Sequence, residues 1–214
     1  MKPYYEEAGI TIYHGDCREV LPMLDRVDMV LADPPYGIKF RSNYRLERHA
    51  RIEGDDTLPL EAIRLSISYA RAAAYVFCRW DNLGEMPKPT SVLCWIKNNW
   101  SMGDLQHEHG RQWEAICFYS RERHQFARRI PDVLFADRTG NNLHPTQKPV
   151  ELITKLIEAN ICETILDPFM GSGTTLVAAK NLGRRAVGIE IEEKYCEIAA
   201  KRLSQGVLPL RAGM

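Results

Sequence analysis

Residues 33–36, Asp-Pro-Pro-Tyr, combine side chains that could hold and activate a planar base. The rigid prolines can fix a backbone carbonyl next to Tyr36, whose ring offers a stacking surface. Asp33 and the Pro34 carbonyl could each accept a hydrogen bond from an exocyclic amine, which would favour a pyramidal nitrogen with an available lone pair. A proline turn after a strand is also common on purely structural grounds. The predicted catalytic residues are Asp33, Pro34, Pro35 and Tyr36.

Residues 167–175, Asp-Pro-Phe-Met-Gly-Ser-Gly-Thr-Thr, form a glycine-rich segment for which three nucleotide-binding patterns compete. A phosphate-binding P-loop needs a lysine after its last glycine, whereas Thr174 follows Gly173. The dinucleotide pattern G-x-G-x-x-G needs a third glycine where Leu176 stands. The remaining pattern, a short turn between strand and helix, suits a nucleoside without phosphates and points to S-adenosylmethionine. Glu190, after the next strand, could accept the ribose hydroxyls. The structural alternatives are an ordinary tight turn and a solvated acid.

Two further polar residues have competing interpretations. Asp16 ends a strand and could accept from the adenine amine of the cofactor, but it could equally cap a helix, since Glu19 follows three residues later. Residues 144–149, His-Pro-Thr-Gln-Lys-Pro, predict a rigid turn that leads into the next helix. Within this turn, Lys148 could meet a carboxylate, such as the methionyl end of the cofactor.

Charge is balanced over the whole chain, with 28 basic and 28 acidic residues, so any nucleic-acid-binding face must be local. Residues 39–51 hold five positive residues and one negative residue, with aromatic residues between them. Such a run is typical of a solvated surface or of a nucleic-acid contact loop, and its place directly after the acidic tetrapeptide favours contact. The predicted nucleic-acid-binding residues are Lys39, Arg41, Tyr44, Arg45, Arg48 and Arg51, with Arg128 and Arg129 from a second basic segment.

Other residue types predict what kind of protein this is. His107 and His109 have no cysteine pair nearby, so the sequence predicts no metal site. The six cysteines are scattered, and several lie in apolar runs, which predicts buried, reduced thiols. The first residues lack the apolar core of a signal peptide, and no segment is apolar over the length needed to cross a bilayer. We therefore expect a cytoplasmic protein with no membrane partner.

Hydrophobic periodicity predicts alternating strands and helices. Strands are predicted at residues 10–13, 27–32, 73–78, 91–96, 114–119, 164–166 and 185–189. Helices are predicted from residue 16, at 60–72, after Pro149, at 174–181 and at 192–203. Short connections in this order require a parallel sheet with right-handed crossovers. The length of 214 residues and the apolar content of 45% predict one domain over 1–214, with a mobile basic loop at 38–58 and a short insertion at 121–143.

Gly15-Asp16, residues 33–36, residues 144–149 and residues 167–175, in this order, resemble the permuted, β-class S-adenosylmethionine-dependent DNA amino-methyltransferases, which modify adenine N6 or cytosine N4. The resemblance implies a circularly permuted, Rossmann-like class I α/β fold. Its sheet would have seven mostly parallel strands with one antiparallel strand, and helices on both faces. Asp33 and Tyr36 would contact the base. The cofactor would be lined by Asp16, Thr146, Lys148, Asp167, Phe169, Gly171, Ser172, Gly173, Thr174 and Glu190.

An acidic first residue in the tetrapeptide leans toward adenine in this family. The leading hypothesis is therefore an enzyme that flips adenine from DNA and methylates N6 by direct in-line attack. The alternatives are cytosine N4, an RNA base, and an inactive cofactor-bound subunit that binds DNA. Family members commonly carry a sizeable target-recognition region before the His-Pro motif, where only residues 121–143 are available. Recognition would then be thin, shared with the loops at 38–58 and 98–113, or supplied by the second subunit of a homodimer.

Overall fold

The computed structural model describes residues 1–37, 57–101, 106, 107, 109–139 and 147–205. Within these ranges the strands form one mixed sheet. They are β1 (Tyr5–Glu7), β2 (Ile10–His14), β3 (Val27–Ala32), β4 (Ala70–Cys78), β5 (Ser91–Ser101), β6 (Arg111–Ser120), β7 (Val133–Phe135), β8 (Thr164–Asp167) and β9 (Arg185–Glu190). Their order across the sheet is β1-β2-β9-β8-β3-β4-β6-β5-β7.

Helices cover both faces of this sheet, as the resemblance implied. They are α1 (Cys17–Val20), α2 (Leu60–Ser68), α3 (Val150–Glu158), α4 (Thr174–Asn181) and α5 (Glu193–Ser204), with short 3₁₀ helices at Leu21–Met23 and Trp80–Asn82. One face packs α3, α4 and α5 against strand residues such as Met29 and Tyr75. The other face packs α1 and α2 against Val30 and Val76, the strand residues that follow Met29 and Tyr75 in the sequence. Successive strand residues point to opposite faces, so two apolar layers form the core.

The sheet has nine strands among the described residues rather than the expected seven, and β1 and β6 both run against the others. The two additional strands, β1 and β7, hold three residues each and lie at the two edges. Three residues are too few for an alternating pattern to be seen in a sequence. The other seven strands have the expected arrangement, with β6 as the reversed strand.

Most predicted elements are present with small shifts at their ends, and α4 has the predicted bounds. The helix predicted at 60–72 was too long, because α2 ends at Ser68 and β4 begins at Ala70. The alanines at the start of β4 favour a helix intrinsically, but pairing with β3 and β6 places them in the sheet. β5 and β6 also extend into the predicted 98–113 loop, where Ser101 pairs with Arg111.

The predicted insertion at 121–143 is described as far as residue 139. It contains β7, which pairs in parallel with β5, and an isolated bridge between Phe126 and Asn160. These contacts hold the segment against the outer strand and the end of α3. The predicted basic loop at 38–58 lies outside the described residues, apart from Thr57 and Leu58.

β3 and β8, which carry the two sequence motifs at their ends, are parallel neighbours at the centre of the sheet. Met29 lies opposite Ile165, and Val30 lies opposite Leu166. The chain leaves β3 for β4 through α2 on one face, and leaves β8 for β9 through α4 on the other. Because the two connections diverge, a crevice opens beyond the carboxyl ends of β3 and β8, where α/β sheets hold ligands.

Three further features bear on the class of protein. All six cysteines are free, five of them buried and Cys94 half-buried. No helix within the described ranges is long and apolar enough to span a membrane. The same ranges contain no cluster of three or more His, Cys, Asp or Glu side chains that could hold a metal ion.

Candidate active site

A pocket of about 400 Å³ lies beyond the carboxyl ends of β2, β3, β8 and β9. Residues 33–36 line one part of its wall, and residues 167–172 line another. These segments are distant in the sequence, and the pairing of β3 with β8 brings them together. Two names are used below. The Asp33 half of the site comprises Asp33–Tyr36, Lys97, Glu114 and Lys148. The Asp167 half comprises Asp167–Gly173 and Glu190.

Asp33, directly after β3, is held by one donor on each carboxylate oxygen. The Tyr36 hydroxyl donates to Oδ1 at 2.8 Å, and the Lys148 ammonium lies 2.7 Å from Oδ2. The side chain keeps 21% of its surface exposed and lines the pocket. Burial raises the pKa of Asp33, although Lys148 opposes the shift. The carboxylate is therefore fixed in position and still has lone pairs for the N–H groups of a ligand.

Lys148 is a buried cation shared by two carboxylates. Its Nζ lies 2.7 Å from Asp33 Oδ2 and 3.2 Å from Glu114 Oε2, and it donates to the Tyr36 hydroxyl at 3.2 Å. Burial disfavours the ammonium, but the two carboxylates outweigh this cost and raise the pKa of Lys148. In the structure the carboxylates that Lys148 meets are therefore those of Asp33 and Glu114, and its contact with the cofactor stays a prediction.

Glu114 and Lys97 extend the cluster onto neighbouring strands, and the sequence reasoning missed both. Glu114 on β6 and Lys97 on β5 form a close ion pair. Burial would raise the pKa of Glu114, but Lys148 and Lys97 lower it to about 2. A signal was present in the sequence: Glu114 alternates with Ile116 and Phe118, which face the core. A charged residue at such a position indicates a buried polar network.

The turn that presents Tyr36 is fixed by its backbone as well as by its hydroxyl. The Asn82 side-chain amide donates to the Tyr36 carbonyl at 3.1 Å. Gly37 follows with a φ of 73°, and a Cβ there would lie 2.8 Å from the backbone nitrogen of Leu58. Only glycine fits this crowded, left-handed position. Burial also raises the pKa of Tyr36 well above its usual value, so the hydroxyl remains a donor.

Asp167, at the end of β8, is buried without a positive partner among the described residues. Its Oδ1 accepts from the backbone N–H of Phe169 at 3.1 Å. Burial raises the pKa of Asp167 to about 7, although this hydrogen bond and the Thr175 side chain oppose the shift, and the negative charges of Asp33 and Glu190 add to the rise. A cationic ligand would favour the ionised carboxylate.

Glu190, at the end of β9, stabilises the glycine turn through hydrogen bonds. Its Oε2 accepts from the Gly171 N–H at 2.8 Å, and its Oε1 accepts from the Glu192 N–H at 2.8 Å. Burial raises the pKa of Glu190 against these hydrogen bonds. Each oxygen keeps a second lone pair, so the carboxylate can hold the turn and also accept a hydroxyl from a ligand.

Gly173 ends the turn and begins α4 with a φ of 79°. A Cβ at this position would lie 2.8 Å from the Cβ of Ala199 on α5. Ser172 and Thr174 are buried beside it, and the Arg202 guanidinium donates to the Ser172 carbonyl at 2.5 Å. The predicted glycine is therefore required by both the backbone conformation and helix packing.

Asp16 adopts the capping role that competed with adenine binding in the sequence. Its Oδ1 accepts from the backbone N–H of Arg18 at 2.8 Å, and its Oδ2 lies 2.5 Å from the Arg18 guanidinium. The hydrogen bond from the Arg18 side chain lowers the pKa of Asp16. Asp16 also lines the pocket beyond β2, so its contact with adenine stays a prediction.

Several predicted residues cannot be placed at the pocket. Arg128 lies 2.9 Å from Glu158, at the end of α3, whereas Lys148 precedes the start of that helix. Nine helical residues span about 13 Å, so the structure does not bring Arg128 or the exposed Arg129 to the site. The predicted residues that lie outside the described ranges are Lys39, Arg41, Tyr44, Arg45, Arg48, Arg51 and Thr146.

Comparison with known proteins agrees with this geometry. The family model described as DNA methylase (N6_N4_Mtase) matches residues 84–201, which is more than half of the chain. The chain belongs to the N6/N4 DNA methylase family. This methylase is 27% identical over 260 residues to the type II methyltransferase M2.LlaDCHI of Lactococcus lactis subsp. cremoris, covering 96% of this chain and 93% of the relative. It is 29% identical over 258 residues to the type II methyltransferase M2.DpnII of Streptococcus pneumoniae, covering 94% and 92%.

A solved structure extends the similarity to three dimensions. The crystal structure of the M1.HpyAVI–SAM complex has a TM-score of 0.69 and 26% sequence identity, and the match covers 90% of this chain and 99% of that one. The methylase is therefore a DNA methyltransferase with a class I fold that acts on an exocyclic amino group, adenine N6 or cytosine N4.

Proposed function

We propose that this methylase transfers the methyl group of S-adenosylmethionine to N6 of an adenine that is turned out of a DNA duplex. One observation carries the proposal: the Asp33 carboxylate and the Phe169–Gly171 turn line the same pocket. An amine held by Asp33 and a methyl donor held by the turn would share one cavity of about 400 Å³. Direct transfer between the two ligands needs this proximity and no covalent enzyme intermediate.

The Asp167 half fits a cofactor with positive charge. It contains the buried carboxylate of Asp167 and the half-buried carboxylate of Glu190, and the ion pairs of the described residues involve neither of them. S-adenosylmethionine carries a sulfonium and an ammonium group, which would stabilise these carboxylates in their ionised form. Asp167 would hold the methionyl part, Glu190 would accept from the ribose, and Asp16 would approach the adenine. The bound SAM of the similar M1.HpyAVI structure supports S-adenosylmethionine as the cofactor.

The Asp33 half fits a neutral, planar amine. S-adenosylmethionine supplies the methyl group: the amine nitrogen forms the new C–N bond while the C–S bond breaks, and its electron pair returns to sulfur. Asp33 accepts a hydrogen bond from the amine and then takes the proton that the nitrogen loses. Its pKa, raised by burial, makes it a better proton acceptor than a solvated aspartate. The Pro34 carbonyl accepts from the other amine hydrogen, and Tyr36 stacks on the base, a contact worth roughly 1–3 kcal/mol.

The basic residues at 39–51 are assigned to the DNA backbone. They follow the Tyr36 turn within a few positions, and this segment holds five positive residues against one negative residue in a chain whose net charge is zero. Phosphate contacts release counterions, so the affinity for DNA is expected to fall steeply with salt. The acidic first residue of the tetrapeptide supports adenine over cytosine as the acceptor.

A nucleoside digest tests the proposal. The purified protein is incubated with methyl-labelled S-adenosylmethionine and mixed-sequence DNA, the DNA is digested to nucleosides, and the label is located by chromatography. We expect the label in N6-methyldeoxyadenosine. Label in N4-methyldeoxycytidine would replace adenine by cytosine as the acceptor, and a parallel RNA substrate identifies the polymer. An unlabelled digest, together with calorimetric binding of S-adenosylmethionine, would indicate an inactive cofactor-bound subunit.

A further inference from the structure

The Asp33 half contains more buried and half-buried charge than the transfer reaction above uses. Two carboxylates and two ammonium groups are linked by ion pairs, and their formal charges cancel. They belong to Asp33, Glu114, Lys97 and Lys148. Apolar residues of similar volume are often at least as stabilising as such a cluster, because desolvation of each charge is costly. The cluster is therefore more readily explained by function than by stability.

Two donors in the cluster each face the same two acceptors. Lys148 Nζ lies 2.7 Å from Asp33 and 3.2 Å from Glu114. The Tyr36 hydroxyl lies 2.8 Å from Asp33 and 3.3 Å from Glu114. Both donors are closer to Asp33, so each Asp33 oxygen already has an internal donor. A base amine that enters the pocket must compete with one of them.

We propose that Lys148 and Glu114 are positioning residues for the transfer, with Lys148 shifting from Asp33 onto Glu114 when the base amine binds to Asp33. This inference rests on the proposed function. Glu114 is suited to receive Lys148 because Lys97 anchors its Oε1 while Oε2 already faces Lys148. The flexible lysine stem allows such a short movement of Nζ. Lys148 thus balances the charge of Asp33 before the base arrives and withdraws as the base binds.

The charged and titratable groups that face Asp33 come from several elements. They are Tyr36 on its own loop, Glu114 on β6, Lys148 before α3 and Asp167 on β8, with Lys97 on β5 acting through Glu114. Among the described residues, Lys148 is the cation in direct contact with Asp33. Its removal leaves burial and Glu114 to raise the pKa of Asp33, whereas neutralising Glu114 removes that carboxylate. The two changes therefore act on Asp33 in opposite directions, which general damage to the fold would not do.

A titration of Asp33 in the ligand-free protein tests this directly. The carboxyl carbon of Asp33 is followed by NMR as the pH changes, and its signal is assigned by its loss in Asp33→Asn. We expect Lys148→Met to raise the pKa of Asp33 by about one pH unit or more, and Glu114→Gln to lower it. The matched controls are Lys155→Met and Glu158→Gln, which change the same charges on α3 outside the site and should leave the titration unchanged.

Steady-state kinetics test the movement of Lys148. With saturating cofactor and DNA, Lys148→Met should lower kcat, with recovery at higher pH as Asp33 ionises, and Lys148→Arg should restore most of the rate. In Glu114→Gln, Lys148 has no second carboxylate and stays on Asp33. The KM for DNA should therefore rise about tenfold, while the affinity for S-adenosylmethionine stays within twofold.

Three outcomes would overturn the inference. One is an Asp33 pKa that moves in the same direction in Lys148→Met and Glu114→Gln, or in neither. Another is a loss of cofactor affinity in Lys148→Met with an unchanged Asp33 titration, which would place Lys148 in the cofactor site. The third applies if Lys148→Met does not fold: Glu114→Gln then decides alone, and an unchanged or raised Asp33 pKa rejects the inference. A wild-type protein that methylates no nucleic acid would reject the proposed function, while the titration would still measure how Lys148 and Glu114 control Asp33.

Discussion

The Asp33 half and the Asp167 half of the site each contain two buried or half-buried carboxylates, but they compensate the negative charge differently. In the Asp33 half, Asp33 and Glu114 are paired with Lys148 and Lys97. In the Asp167 half, the described hydrogen-bond partners of the carboxylates are backbone N–H groups. The first half is close to neutral, whereas no ion pair among the described residues compensates Asp167 or Glu190 in the second.

This difference matches the two ligands of the proposed reaction. A nucleobase is neutral, so a half-site with balanced charge can bind its amine without leaving a buried charge uncompensated. S-adenosylmethionine is cationic at its sulfonium and ammonium groups, so it can supply the charge that the Asp167 half lacks. The Asp167 half thus needs a cationic ligand to balance its charge, whereas the Asp33 half does not.

The largest expected effect comes from Asp33→Ala. Without this carboxylate the amine has no hydrogen-bond acceptor, and the proton that it loses has no acceptor either. The rate of methyl transfer should therefore fall by about 10³-fold or more, while the dissociation constant for S-adenosylmethionine stays within a few fold. Single-turnover transfer and calorimetric binding measure the two quantities. Asp25→Asn, an exposed aspartate outside the site, is the control. A comparable loss of methyl transfer and of cofactor affinity would assign Asp33 to cofactor binding, together with the Asp167 half.

Asp167→Asn should produce the complementary defect. Removal of a buried negative charge should weaken S-adenosylmethionine binding on the order of 10–100-fold, and the same change should stabilise the ligand-free protein at pH 8. Calorimetry and urea unfolding measure these effects. Unchanged cofactor affinity, or a less stable ligand-free protein, would contradict the idea that the Asp167 half contains negative charge that no protein cation compensates.

The pH dependence of cofactor binding sharpens the same comparison. The folded pKa of Asp167, about 7, lies above its ordinary value of 3.8, so the folded protein binds this proton more tightly and loses stability as the pH rises from about 4 to 7. The cationic cofactor prefers the ionised form, so its dissociation constant should rise as the pH falls below about 7, by up to tenfold per pH unit. Titrations at several pH values measure this rise. It should disappear in Asp167→Asn and persist in Glu114→Gln.

The Asp167 half also depends on backbone shape at its glycine turn. Substitutions of glycine test this dependence, and we expect them to have the smallest effects, measured as changes in the free energy of unfolding. Gly173→Ala combines a φ of 79° with a close contact to Ala199, and should cost roughly 2–3 kcal/mol of unfolding free energy. Gly183→Ala has a φ of 66° in open space and should cost about 1 kcal/mol. Gly84→Ala has neither feature and should cost less than about 0.5 kcal/mol. Denaturant unfolding of the three variants gives this order, and equal losses would show that packing against α5 is unimportant.

The strongly periodic elements of the fold could be read from the sequence, whereas the edges of the sheet could not. α4 has the predicted bounds because a strand, a glycine turn and an apolar stripe mark both of its ends. β1 and β7 were missed because three residues give no period and their pairing depends on partners elsewhere in the chain. β4 began earlier than predicted because sheet pairing overrode the helical preference of its alanines.

The site shows the same division. Asp33, Asp167, Gly173 and Glu190 could be found because each follows or begins a predictable element and belongs to a recognisable local pattern. Glu114 could have been noticed, since it is a charge in register with core residues. The ion pair between Glu114 and Lys148 could not be predicted, because the two residues are 34 positions apart and meet only when β6 lies beside the start of α3.

The sequence by itself determined the residue types that can carry the chemistry and their order along the chain, because these depend on side-chain chemistry and on local backbone preferences. Only the tertiary structure decided how their charges are balanced. A pKa or an ion pair depends on burial and on neighbours within a few ångströms, and in this protein those neighbours come from separate strands and from the start of a distant helix.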